Sequence, residues 1–319
     1  MKEPPAWLKK YLLDRYEHSS YAEYLQMDIL ELHEGEITVS MRVRHELTNL
    51  AGILHGGAVG SLLDIAMNLA CFSTGRRTTV LGFNTNFLGG VREGNTVRAI
   101  AKVLHSGRST MVVEGRILDE AGKLRAKGRG TFLVTGQFTP EDQPLKGAVP
   151  PSPPPSSPRD PEGVTNPVES LLKDPAAGPK VENWLEVQLL SIHDRNYFAK
   201  YLDMEIVHIG KGNSVVSMPV THKHTNIRGV VHGGALVSLA DMSMMLSCAS
   251  LGKRTVTLDL NISFVRRVRE GDRVIAFPRV IHKGKTTMVV AGSIVDEEGN
   301  LLSEARGTFF VTGDYTPVG

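Results

Sequence analysis

Apolar and polar residues along this chain change their period in a fixed order, and that order occurs twice. Between Trp7 and Leu25, the residues Leu8, Leu12, Leu13 and Tyr16 recur at helical spacing and predict a short helix. Ile37 to Val43 (ITVSMRV) alternates apolar with polar positions, as a half-buried strand does. From Ala58 the period lengthens again, and Ala58, Leu62, Ile65, Ala66 and Leu69 form one face of a buried helix. Strand-like segments follow over 79–87, 96–105, 109–118 and 124–134, most of them broken by Gly, Asp-Glu or Arg-Glu-Gly turn signals, with AGKL and EGNL marking hairpin tips. One strand before the helix, four after it and no strand-helix alternation predict the α+β class, an antiparallel sheet with the helix on one face.

Sliding the sequence on itself shows the repeat at an offset of 177 residues, ungapped from Trp7/Trp184 to Gly136/Gly313, with roughly half the positions identical. A period this long is a whole folding unit rather than a solenoid repeat. Twelve of the 17 prolines fall between Pro140 and Pro179, several of them in PPSPPPSSPRDPEG, a composition that cannot bury enough apolar surface to order itself. The expected organisation is therefore one domain over 1–137, a Pro-rich linker over 138–180 and a second domain over 181–319.

Composition narrows the function by exclusion. A net charge of +2 over 319 residues, without Lys and Arg interleaved with aromatics, offers no nucleic-acid footprint. The N-terminal MKEPPAWLKKYLLDRYEH has no apolar core of a signal peptide, and no apolar run is long enough to span a bilayer, so no membrane partner is expected. The two cysteines, Cys71 and Cys248, occupy equivalent helical places and read as core residues of a protein in the reducing cytoplasm.

Candidate chemistry lies in one string. TNLAGILHGGAVGSLLDIAMNLAC (48–71) returns as TNIRGVVHGGALVSLADMSMMLSC (225–248), each a loop feeding a helix. The amides that open a helix lack intrahelical partners and carry the positive end of its dipole, so a glycine-rich entry lets a carbonyl come close enough to be polarised. Asp64, about two and a half turns after His55, lies among apolar positions where an unpaired charge is costly. Taken singly, such glycines satisfy a tight turn and such an Asp caps, pairs or faces solvent; their joint occurrence in both copies favours chemistry. His45/His222 and His105/His282 also recur, but without ligand spacing, so they read as hydrogen-bonded structural residues and no metal is assigned. Met67, Met242, Met244 and Met245 read as core filler.

Together with an Asn-x-x-Phe strand and V-x-H-x-G-[RK]-x-T, the string resembles the hotdog-fold acyl-CoA thioesterases of the phenylacetate-pathway type, here as a tandem pair. That resemblance implies two hotdog domains, each an antiparallel sheet wrapped on a long central helix. It also implies sites between the loop of one hotdog and the helix of the other. Asp64 and Asp241 match the catalytic position, Gly56 and Gly233 the oxyanion donors, and Asn49 and Asn226 the side chains that place water; His55 and His232 are expected to brace the loop. A hydroxyl usually present four residues before the strand Asn is Thr257 in the second copy and Val80 in the first. The site of Asp241 with Thr257 is accordingly expected to carry most turnover. No cofactor is implied beyond coenzyme A as part of the substrate, with Gly57, Gly234, Arg108, Lys285, Arg266 and Arg267 as candidates to contact it; Gly89 and Gly90 stand where the second copy has the two arginines. The two repeats are expected to pair within one chain and the double units to associate further. The rival expectation is an acyl-CoA binding or sensing module without catalysis, and the acyl group is left open among aromatic, medium-chain and hydroxylated classes.

Overall fold

The computed structural model describes residues 2–17, 19–142, 179–226 and 229–317. Each repeat folds as predicted in class, with strands β1 (Met27–His33), β2 (Glu36–Arg42), β3 (Arg76–Phe87), β4 (Thr96–Ser106), β5 (Thr110–Leu118) and β6 (Leu124–Gln137) in the first. The second supplies β7 (Glu205–Gly210), β8 (Asn213–Pro219), β9 (Lys253–Phe264), β10 (Arg273–Lys283), β11 (Thr287–Val295) and β12 (Leu301–Asp314). All twelve join one antiparallel sheet in the order β1-β2-β4-β5-β6-β3-β9-β12-β11-β10-β8-β7. The halves meet where β3 pairs β9, with Asn84 opposite Asn261 and Phe83 opposite Ile262.

Each repeat also has a central helix, Gly56–Phe72 in the first and Gly233–Ala249 in the second, packed on its own sheet and on the other central helix. This explains why residues 57–67 of the first helix are buried all round rather than along one stripe. The contact is made by small residues: a methyl group on Gly57 would stand 2.7 Å from Ser238 Cα, and one on Gly234 2.7 Å from Ser61 Cα. Ser61 Oγ donates across the crossing to the Gly234 carbonyl at 3.0 Å.

Three expectations need correction. Two strands, not one, precede each central helix, because the edge strands β1 and β7 were masked by irregularities at Ile29/Glu31 and Ile206/His208 that break the alternation. The predicted N-terminal helix is two, Ala6–Glu17 and Ser20–Leu25. The first domain also runs past residue 137: Phe138 is buried, its ring 5.4 Å from Tyr11 and 5.5 Å from Phe72, and Arg77 pairs with Asp142. Most of the expected linker, residues 143–178, lies outside the described residues.

Candidate active site

Two equivalent constellations form where the start of each central helix meets the middle of the other. In the first, His232 caps the second helix, its Nδ1 lying 3.2 Å from Gly234 N and 2.9 Å from Asp64 Oδ2 of the first repeat. Gly234 N–H also donates to Asp64 Oδ2 at 3.1 Å. The other carboxylate oxygen, Oδ1, accepts from Asn68 Nδ2 at 3.0 Å. Gly234 N–H and Asn68 Nδ2 thus place one donor on each oxygen of the buried carboxylate and orient it. Gly233 is required by proximity, since a methyl group there would stand 2.8 Å from Asp64 Oδ2.

The second constellation exchanges the repeats. His55 caps the first helix, with Nδ1 3.2 Å from Gly57 N and 3.3 Å from Asp241 Oδ2, and a methyl group on Gly56 would stand 2.7 Å from that oxygen. Asp241 Oδ1 accepts from Thr257 Oγ1 at 2.7 Å. Asp241 Oδ2 and His55 Nε2 are buried without a hydrogen-bond partner among the described residues, the histidine contact lying at ion-pair range only. Both carboxylates are 0% exposed. Each histidine ring stacks on an aromatic residue of the opposite repeat, His232 on Tyr21 at 5.1 Å and His55 on Phe198 at 4.9 Å.

Asn49 spends its carbonyl oxygen inside its own loop, accepting from Ala51 N at 2.9 Å and Ile53 N at 3.2 Å, so its amide NH2 is the end that can meet a water. Asn226 lines a cavity of about 190 Å³ beside Asp64, His232 and Gly233. Arg266 and Arg267 line the same cavity, and Arg267 Nη2 donates to Thr79 Oγ1 of the first repeat at 3.1 Å. The arginine pair thus belongs to the Asp64 site, whereas Thr257 belongs to the Asp241 site. At the place of Gly89 a methyl group would stand 3.0 Å from Arg125 Nη1, but that guanidinium is already held by Asp119 at 2.6 Å. Gly57 and Gly234, expected to contact coenzyme A, stand at the helix crossing and donate to the histidine caps. Arg108 and Lys285 sit exposed at hairpin tips and line neither this cavity nor the one behind the second central helix.

Asn68 escaped the sequence reading because Met245 stands at its counterpart; its signal was a side chain one helical turn after Asp64. Tyr21 and Phe198 are aromatic at the same offset, a cue that was visible. Burial pushes the Cys71 and Cys248 thiols up to about 12, which rules them out as thiolate nucleophiles at neutral pH. Among the described residues no group of three or more His, Cys, Asp or Glu side chains is arranged to hold a metal ion. No helix among them is long and apolar enough to cross a membrane.

The profile of the thioesterase superfamily matches residues 51–126 and again 228–303. The acyl-coenzyme A thioesterase PaaI of Escherichia coli is 33% identical over 117 residues, which cover 37% of this chain and 84% of that protein. The chain belongs to the thioesterase superfamily. Acyl-coenzyme A thioesterase 13 of Homo sapiens is 27% identical over 117 residues, 36% of this chain and 84% of its own length. Each such relative corresponds to one repeat, so the chain is a tandem hotdog of this superfamily. Across both repeats, a solved structure from Novosphingobium aromaticivorans aligns with a TM-score of 0.58 over 89% of this chain and 98% of that one; at 14% identity the likeness is one of fold.

Proposed function

We propose that the chain hydrolyses acyl-CoA thioesters at two sites, each assembled from both repeats. The observation that carries this reading is the carboxylate of each repeat held against the helix start and capping histidine of the other, at 2.9 Å for His232 with Asp64 and 3.3 Å for His55 with Asp241. The thioester carbonyl lies at the amide of Gly233 or Gly56, where the helix dipole and an N–H without an intrahelical partner stabilise the oxyanion. Asp64 or Asp241 accepts a proton from water as the water oxygen bonds to the carbonyl carbon; the C–S bond then breaks and the coenzyme leaves as thiolate, later protonated. Asn226 or Asn49 places that water. Arg266 and Arg267 meet the coenzyme phosphates at the mouth of the Asp64 groove.

The same reading has the double unit associating into a homo-oligomer in the cytoplasm. The test is release of free thiol from a panel of acyl-CoA thioesters by the intact chain, Asp64→Asn, Asp241→Asn and the double variant. Turnover by the intact chain, about a hundredfold or more below it for the double variant, is expected. Tight binding of acyl-CoA without thiol release would identify a binding module instead.

A further inference from the structure

Behind each central helix lies a cavity, and the smaller corresponds to the inner end of the larger, built from different residues; its lining on the helix begins at Met242, next in the chain to Asp241, and includes no residue of the Asp241 site itself. The larger, about 190 Å³, extends from the Asp64 site to Tyr16, Ile65 and Phe72. The smaller, about 80 Å³, is lined at the corresponding positions by His193, Met242 and Ala249. Leu12/Leu189, Leu69/Leu246 and Thr78/Thr255 line both unchanged, which identifies the two as equivalents under the 177-residue offset.

Their polar groups differ in what they lack. The Tyr16 hydroxyl is buried with no hydrogen-bond partner among the described residues, and burial pushes its pKa up, so it stays a neutral phenol. Its counterpart His193 is satisfied, with Nε2 3.0 Å from the Met204 carbonyl, and burial lowers its pKa and keeps it uncharged. Asn196, in the same wall, accepts from Ala199 N at 3.1 Å. A ligand oxygen that reaches Tyr16 therefore relieves an unmet hydrogen bond, whereas in the second pocket the counterpart His193 and the Asn196 carbonyl oxygen are already engaged. In that second pocket Ala249 replaces Phe72, and two flexible thioethers, Met242 and Met245, replace Ile65 and Asn68; such side chains yield to an alkyl chain.

Resting on the thioesterase reading, we propose that the two repeats accept different acyl groups. The Asp64 site takes an acyl group with a hydrogen-bonding oxygen at its far end, and the Asp241 site takes an unsubstituted apolar chain. The duplicated chain is thus a thioesterase of two specificities rather than one specificity doubled.

Octanoyl-CoA and 8-hydroxyoctanoyl-CoA form the test pair, assayed on the full chain. Asp241→Asn, which leaves the Asp64 site, is expected to favour the hydroxylated substrate in kcat/KM. Asp64→Asn is expected to favour the plain one, the two ratios differing by about tenfold or more. Tyr16→Phe in the Asp241→Asn background is expected to erase most of that preference. Equal ratios in the two single variants would overturn the proposal. Calorimetry with the non-hydrolysable thioether analogues of both compounds reads the pockets without turnover: two classes of site with opposite preferences support the proposal even if no thioester is cleaved, in which case the hydrolase reading alone fails. One class of site with one preference overturns the proposal while leaving hydrolysis standing.

Discussion

At the scale of single residues, the two sites solve one problem by different side chains. A carboxylate that must face a carbonyl needs its second oxygen held, and Thr257 Oγ1 does this for Asp241 at 2.7 Å while Asn68 Nδ2 does it for Asp64 at 3.0 Å. The expectation that Val80 leaves the Asp64 site short of a hydrogen bond therefore loses its premise. Position 257 was legible because the resemblance points to it; Asn68 was not, since its role depends on a rotamer that turns back along the helix to the carboxylate. Asn68→Ala in an Asp241→Asn background, and Thr257→Ala in an Asp64→Asn background, are each expected to lower kcat about ten- to a hundredfold, the loss of about 1.5 to 3 kcal/mol for a hydrogen bond to charge. An unchanged kcat in either background, measured under saturating substrate, would show that the bond does not orient the reacting group.

At the scale of elements, the crossing of the central helices sets the distances between repeats in both sites. Backbones come this close only because Gly57, Gly60, Ser61, Gly234 and Ser238 stand in the contact; even on Gly60 a methyl group would stand 2.6 Å from Val237 Cγ1. Gly57→Ala pushes a methyl group into the backbone of the other helix, which cannot turn aside as a side chain could. It is expected to cost about 1 to 3 kcal/mol, seen as a lower urea midpoint with an unchanged slope. Gly313→Ala, where nothing lies within 4 Å, is the comparison and is expected to stay within about 0.5 kcal/mol of the parent chain. Both helices are legible through their apolar period, but the place of Gly57 and Gly234 in the crossing is not, because a glycine needed for a neighbouring backbone looks no different along the chain from one needed for a ligand.

At the scale of the molecule, a twelve-stranded sheet continuous through β3 and β9 makes the two repeats one body. A repeat on its own would expose the β3 edge and the helix surface that its partner now covers, and unpaired edges and apolar faces of that kind seek another copy. Expressed alone, residues 1–142 are expected to sediment as a dimer or larger species, not as a stable monomer. A folded monomer in sedimentation velocity at micromolar concentration would show that pairing is dispensable for folding.

Period and repetition along the chain were enough to determine the α+β class, the duplication and the central helices, and to mark the repeated string that holds Asp64/Asp241, His55/His232 and Gly56/Gly233, because each of these is a local pattern written twice. What only the tertiary structure decided is which residues of one repeat meet which of the other. It put Arg266 and Arg267 with Asp64, left Thr257 with Asp241, brought Asn68 to a carboxylate and left the Tyr16 hydroxyl without a partner among the described residues. Those outcomes depend on how two helices cross and which strand edges pair, and such long-range contacts leave no period in the chain that makes them.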